Sequence, residues 1–255
     1  EASSHGLDQY RLDGVALSIA AFTNLSRDHL DYHGSMAAYR AAKTRLFSEL
    51  LSADGTAVLN ADDQAYEELR SVARERGCRI HSYGKEGDDI RLLSASAAAS
   101  GQELSLEVFG RLEDIFLPLI GSFQVSNALC ALGIAVASGV QAKTAVAALS
   151  SLRSVRGRME LAGRHRNGAR VYVDYAHTPD ALSAALAALR PHAEGDLHLV
   201  FGCGGDRDQG KRHEMGDIAH AMADQVIVTD DNPRSERPAA IRQAILEACP
   251  SALDV

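Results

Sequence analysis

Two periods alternate along this chain, and their alternation predicts its architecture. Apolar runs of strand type fall at residues 15–22, 56–59 and 79–83, and helix-spaced apolar positions lie between them at 35–51 and 63–76. From 90 to 119 the period shortens, with alternating segments around 104–108 and 115–119 that predict antiparallel hairpins. Helical spacing returns at 125–137 and 142–149. A second series then places strands at 170–173, 197–201 and 225–229 and helices at 178–189, 211–223 and 239–249. Strands alternating with helices predict an α/β fold with parallel sheets. The basic, glycine-containing stretch 153–158 separates the series, which puts the domains at 1–156 and 157–255.

Composition narrows the class. A chain of 255 residues has room for one large domain or two ordinary ones, and 46% hydrophobic with 24% charged residues is ordinary for a soluble globular protein. The net charge of -8 argues against a nucleic-acid surface and against binding an acidic membrane face. Cys78, Cys130, Cys203 and Cys249 are widely spaced with no C-x-x-C pair, the pattern of reduced cytoplasmic thiols rather than a zinc framework. The longest apolar run, 128–137, is interrupted by Gly133 and too short to span a bilayer, and no signal peptide is present. A motif-rich stretch begins at once with Glu1, so the chain reads as the interior of a longer protein.

Four stretches carry candidate chemistry. Asp231-Asn232-Pro233-Arg234 follows the strand at 225–229, where α/β folds bind ligands. Asp and Asn accept from an ammonium and Arg pairs with a carboxylate, so the four suit a free amino acid, although Asp-Asn-Pro is also ordinary turn chemistry. The segment 23–33 holds Asp28, His29, Asp31 and His33 after a strand; it is either a capped helix start or a set of oxygen and imidazole ligands for Mg²⁺ or Mn²⁺. Val173-Asp174-Tyr175-Ala176-His177-Thr178-Pro179 runs from a strand into a helix; Asp174 and His177 are candidate site residues, with simple capping by Thr178 as the alternative. The segment from Gly205 to Lys211 has the spacing of a phosphate loop, but Arg212 stands where Ser or Thr must hold Mg²⁺, and that reading fails. Gly202-Cys203-Gly204-Gly205 likewise lacks the third glycine of a dinucleotide fingerprint. Lys43, from spacing alone, is a solvated helix charge.

Together these segments resemble the Mur ligases, ATP-dependent amide-forming enzymes of peptidoglycan precursor synthesis. The resemblance runs in the family's order through Glu1-Ala2-Ser3-Ser4-His5, residues 23–33, 39–43, Asn60-Ala61-Asp62-Asp63, 121–127, Gly157-Arg158-Met159-Glu160, 174–179, 202–211 and 231–234. It is strongest toward members that add meso-diaminopimelate. The fold it implies is a Mur ligase central ATPase domain, truncated at its start, followed by a partial Rossmann-like C-terminal domain.

Site roles follow from the resemblance. Glu1 and His29 resemble ligands of catalytic Mg²⁺, and Lys43 resembles the lysine that family members carry as a carbamate, an anionic ligand in place of an ammonium. Asn127, Arg158 and Asp174 resemble the residues that hold ATP and align its transferred phosphate, with His177 beside them. Ser3, Arg207, Asp231, Asn232 and Arg234 are the expected substrate contacts, and Arg207, Asn232 and Arg234 resemble those to the incoming diamino acid. The implied partners are ATP, UDP-MurNAc-L-Ala-D-Glu and meso-diaminopimelate, in the cytoplasm. The family's G-T-[NK]-G-K-[TS] phosphate loop and its uridine-binding domain are expected upstream of Glu1, and a Gly-Lys-Gly-His-Glu-like loop downstream of Val255. The 255 residues by themselves are therefore expected not to ligate. Gln124, where many relatives have Asn, and His213, where Pro is usual, depart from the pattern. A lysine-adding ligase, a folylpolyglutamate synthetase and a non-catalytic scaffold are the competing expectations.

Overall fold

The computed structural model describes residues 1–26, 29–98 and 100–255. The chain forms two compact units. The first holds Glu1–Ser96, Gly101–Pro118 and Gln124–Leu152; the second holds Arg153–Val255 with the short segments Ala97–Ser100 and Leu119–Phe123.

The first unit is built on a six-stranded sheet whose order follows the chain: β1 (Leu17–Phe22), β2 (Leu51–Asn60), β3 (Arg79–Gly84), β4 (Ile90–Ala98), β5 (Gly101–Val108) and β6 (Arg111–Leu117). β1, β2 and β3 pair in parallel, and β5 and β6 close as an antiparallel hairpin from Gln102↔Leu117 to Val108↔Arg111. Parallel neighbours need crossovers. α2 (Leu30–His33) and α3 (Met36–Arg45) cross from β1 to β2, and α4 (Tyr66–Glu75) crosses from β2 to β3; α1 (Ser4–Asp8) precedes them, and α5 (Ser122–Ala137) and α6 (Ala142–Leu149) follow the sheet. α4 shows how local sequence specifies an element. Tyr66, Leu69 and Ala73 share its buried face, Glu67 and Glu68 sit at its positive end, and Gly77, at φ +86°, turns the chain out. Those apolar side chains pack with Phe22, Phe47, Leu51 and Leu59 into one core.

The helix expected over 35–51 is shorter than its periodicity suggests. α3 ends at Arg45, Leu46–Leu50 forms a single π-turn, and β2 starts at Leu51 rather than at 56. Helix ends leave carbonyls that need donors. Here Arg76, just past the end of α4, donates to Ser48 O at 2.8 Å, Glu49 O at 2.6 Å and Leu51 O at 2.5 Å. No local pattern announces a cap delivered from another helix.

The second unit opens with a two-stranded antiparallel sheet, β7 (Glu160–Arg164) and β8 (Arg170–Val173). A parallel sheet of order β11-β10-β9 follows, made of β9 (His198–Phe201), β10 (Gln225–Val228) and β11 (Leu253–Asp254). α7 (Pro179–Leu189), α8 (Gly210–Met222) and α9 (Pro238–Leu246) pack with it through Leu182, Leu186, Met215, Ala219, Val226 and Ile245. Residues 170–173 are a strand as expected but do not belong to the parallel series. They fold back on β7 through a turn in which Gly168 takes φ +92° and His165 N donates to Ala169 O at 2.7 Å. Asn167-Gly168 is a hairpin signal, so β7 is legible in the sequence although its apolar periodicity does not mark it. All four cysteines are free and buried, and no helix among the described residues is long and apolar enough to cross a membrane.

Candidate functional site

In the first unit Ser3, His29 and Lys43 lie around α1, α2 and α3. Ser3 caps α1, its hydroxyl accepting from Gly6 N at 3.1 Å. α1 thereby presents His5, whose ring lies 4.9 Å from that of His29, 4.1 Å from Tyr32 and 5.5 Å from His33, between centroids. His29 stands at the entry to α2 in left-handed backbone, φ +55°, a conformation that costs a non-glycine residue about 1 kcal/mol. Its ring reaches Tyr39 at 6.0 Å, and Lys43, one turn further along α3, holds its Nζ 5.2 Å from the Tyr39 centroid. A cation over an aromatic face is favoured as an ammonium. His33 Nε2 lies 3.0 Å from the buried Ser4 hydroxyl. His5, Tyr32 and Tyr39 were not singled out from sequence, because only tertiary packing brings α1 against α2.

The loop that leads into this cluster is held from β2. Asn60 Nδ2 donates to Thr23 O at 2.7 Å, and Asp63 accepts from Leu25 N at 3.0 Å and from Ala65 N at 2.8 Å. Asp62 accepts from Lys85 N and Glu86 N, each at 2.9 Å. Asn60-Ala61-Asp62-Asp63 is thus a backbone organiser. Glu1 is exposed. Asp28 lies outside the described residues, as does the side chain of Asp31. Among the described residues no three His, Cys, Asp or Glu side chains converge as a metal-holding group. The ammonium of Lys43 does not fit a Mg²⁺ site. Elsewhere in this unit Asn127 is exposed on α5 and donates to Oε1 of buried Gln124 at 3.3 Å. The departure at Gln124 therefore supplies an acceptor that orients Asn127.

In the second unit the turn before β7 meets the loop after β8. Half-buried Asp174 accepts from Met159 N through one oxygen and from Ala176 N through the other, both at 2.8 Å. The Arg158 guanidinium lies 5.2 Å from the Tyr175 centroid, a cation–π contact, and Tyr175 meets the His177 ring edge-on at 5.2 Å. His177 Nδ1 is 3.0 Å from Tyr175 O, and Lys211 donates to His177 O at 2.8 Å. Arg158, Asp174 and His177 are brought together as expected. Tyr175 and Lys211 join them unforeseen.

The loops after β9 and β10 form the third constellation. Gly205 N donates to Asn232 O at 2.9 Å, and Arg234 Nη1 donates to Gly205 O at 2.5 Å. A Cβ at Gly205 would collide with the Pro233 carbonyl, so only glycine permits this approach. Arg207, Asp231 and Asn232 are exposed around the junction. Among the described residues one guanidinium nitrogen of Arg234 donates to the protein; the fork has five N–H donors in all. Arg212, 4% exposed at its side chain, pairs with Glu236 at 2.7 Å and 2.9 Å. That pairing holds the Glu236 carboxyl below the usual carboxylate range and raises the Arg212 guanidinium. Hydrogen bonds from Ser235 hold Asp206 low in the same way. Burial pushes the nearby Cys203 thiol up. Neither Arg212 nor Glu236 was a sequence candidate; Arg212 had been noticed only as the residue that defeats a phosphate loop.

The family described as the Mur ligase middle domain matches residues 1–135, and the Mur ligase, glutamate ligase domain family matches residues 157–254. The chain is 54% identical over 255 residues to a UDP-N-acetylmuramoyl-L-alanyl-D-glutamate–2,6-diaminopimelate ligase of Zymomonas mobilis, covering 100% of this chain and 52% of that protein. It is 53% identical over 255 residues to the protein of the same name from Caulobacter vibrioides, again spanning 100% of this chain and 52% of the relative. The chain thus spans about half the length of the curated relatives it matches. A solved diaminopimelate ligase of this name aligns with TM-score 0.70 and 36% identity, over 100% of this chain and 53% of that one. A folylpolyglutamate synthase of Mycobacterium tuberculosis, solved with ADP and AMPPCP, aligns with TM-score 0.76 and 25% identity, over 95% and 55%.

Proposed function

The chain belongs to the Mur ligase family, and we propose that it is the catalytic portion of an ATP-dependent ligase that adds meso-diaminopimelate to UDP-MurNAc-L-Ala-D-Glu in the cytoplasm. The observation that carries this reading is the junction of the loops after β9 and β10. There the Asn232 carbonyl and the Arg234 guanidinium both bond Gly205, with Asp231 and Arg207 on the same two loops, and relatives that are about half identical over the whole chain are named for this reaction.

The chemistry is two displacements. A carboxylate oxygen of the dipeptide attacks the γ-phosphorus of ATP, ADP leaves, and an acyl phosphate forms. The diaminopimelate amine then attacks the acyl carbon, the carbon–oxygen bond to phosphate breaks, and the amine proton is lost. Phosphorylation supplies the leaving group that a free carboxylate lacks. Arg158 is suited to offset charge on the transferred phosphoryl group. Asp174 holds the turn that carries Arg158, through the Met159 amide. Asn127, oriented by Gln124, is assigned to the nucleotide, and His177 neighbours the phosphate residues. Asp231 and Asn232 accept from the ammonium of the diamino acid. Arg234 and Arg207 receive its carboxylates, and Ser3 the UDP-linked substrate.

Mg²⁺ is proposed only with Lys43 carbamylated, since the ammonium form does not fit. Glu1, His29 and the carbamate would then be the ligands, and the ion would offset charge on the phosphates. If Lys43→Ala is not rescued by a short carboxylate and removal of CO₂ leaves the wild type unaffected, that assignment fails.

The decisive experiment is phosphate release from ATP and UDP-MurNAc-L-Ala-D-Glu by the full-length gene product, with meso-diaminopimelate or L-lysine as acceptor. Release dependent on diaminopimelate, and lost in Arg234→Ala, is expected. Lysine has no distal carboxylate and would leave Arg234 unpaired, which is how such a site discriminates. Release with lysine instead would overturn the role of Arg234, and no release with either acceptor would favour a non-catalytic scaffold.

A further inference from the structure

Arg212 lies too deep to contact a substrate, and both Glu236 oxygens are taken by protein donors. The Arg212 side chain is 4% exposed and that of Glu236 21%. Their geometry nevertheless ties together the two loops that carry the third constellation. Arg212, in the first turn of α8, forks onto both Glu236 oxygens at 2.7 Å and 2.9 Å and approaches Gly204 O at 3.5 Å. Glu236 Oε1 also accepts from Asp206 N at 2.7 Å, so one carboxylate ties α8 to the loop after β9 from its place on the loop after β10. Asp206 returns the contact. Its oxygens accept from the Ser235 hydroxyl at 2.6 Å and from Ser235 N at 3.1 Å.

Two residues here hold left-handed backbone without being glycine, Asp206 at φ +51° and Arg234 at φ +48°. Such conformations persist only where the surroundings over-determine them. Asp206 immediately precedes Arg207, so its φ aims the residue assigned to the diamino acid. Arg212 Nε has no hydrogen-bond partner among the described residues. Desolvation offsets much of what a buried ion pair contributes to stability, so a geometric role accounts for this one better than an energetic role.

We propose that the Arg212–Glu236 pair is a positioning element. It sets the separation and register of the loops 202–209 and 229–236, so that Arg207 on one and Asp231, Asn232 and Arg234 on the other face the diamino acid in a single arrangement. This inference rests on the ligase reading above and names what gives that site its geometry. A lysine at 212 keeps the charge but cannot span both carboxylate oxygens. A glutamine at 236 keeps the shape but has one acceptor oxygen where two are used.

The test uses the full-length gene product with Arg212→Lys and, separately, Glu236→Gln. Each is expected to raise KM for meso-diaminopimelate on the order of 10- to 100-fold, the effect of moving a positioned group by roughly 1 Å, and to leave KM for ATP unchanged. Hydrogen exchange at the amides of Gly205, Asp206 and Ser235 should quicken, while the amides of Val226 and Val228 in β10 keep their protection. Unchanged KM for the diamino acid in folded variants overturns the proposal, whatever the exchange shows. Unchanged exchange overturns it too. Loss of folding in both variants would make the pair part of the core and would also sink the idea; if only Glu236→Gln fails to fold, Arg212→Lys decides. A wild type inert toward diaminopimelate would instead sink the ligase reading itself, a result separable from an active wild type with indifferent variants.

Discussion

Replacing Asp174 by Ala removes two hydrogen bonds from an ionised acceptor, those from Met159 N and Ala176 N, both at 2.8 Å. Hydrogen bonds to charged groups contribute about 1.5–3 kcal/mol each, and a half-buried site with amides that can rehydrate belongs at the low end, so the loss is about 3–4 kcal/mol. Global unfolding need not report all of it. Met159 is itself buried against Ile120, Ala185 and Ala188 and resists release even though its φ is +46°. The sharper assay is amide exchange at Met159 and Ala176, where that loss corresponds to about 150- to 1,000-fold faster exchange. Asp174→Asn retains one acceptor oxygen and turns an NH₂ toward the other amide donor, so it should lose at least half as much. A change below about threefold in Asp174→Ala would refute the reasoning, because the carboxylate would then not be holding the turn. The result also governs how activity data are read. If Asp174 holds the turn bearing Arg158, a fall in turnover in Asp174 variants reports geometry as well as any contact to nucleotide.

Three further expectations are independent of the reaction. Gly133→Ala places a Cβ 2.7 Å from Val58 Cγ1 between α5 and β2, and should destabilise the first unit by about 1–3 kcal/mol in urea unfolding; an unchanged midpoint would mean that α5 shifts freely. Asp206, Asp224 and Glu236 are held below their ordinary values of 3.8, 3.8 and 4.5 by Ser235, by Leu197 N and by Arg212 respectively. Groups depressed by folding contribute fully above their unfolded values, and the contribution is lost as pH falls through the folded ones. The second unit should therefore weaken below about pH 4.5, with Glu236→Gln flattening that part of the profile, and an identical acid profile in the variant would contradict the assignment. Burial raises the thiols of Cys78, Cys130, Cys203 and Cys249; they should react slowly with a disulfide reagent at neutral pH and fast in urea, and rapid labelling of native protein would contradict their burial.

Hydrophobic periodicity by itself determined the α/β class, the helices α4, α7 and α9, and the strands β3, β9 and β10, because each buries its apolar face by local pattern alone. The family resemblance, not a local pattern, set Arg158, Asp174 and His177 side by side, and the hairpin of β7 and β8 that they flank joins them in space. The resemblance to a known family supplied roles that spacing could not. What tertiary structure alone decided depends on partners distant in the chain. α3 stops at Arg45 because Arg76 feeds the carbonyls beyond it. His5 meets His29 and His33 because α1 packs beside α2 and α3. In the sequence Arg212 only rules out a phosphate loop; it is buried on α8 because Glu236, on the loop after β10, neutralises it. Local pattern encodes which face of an element is apolar. It does not encode which distant donor answers a given carbonyl or carboxylate, and those pairings shape the candidate site.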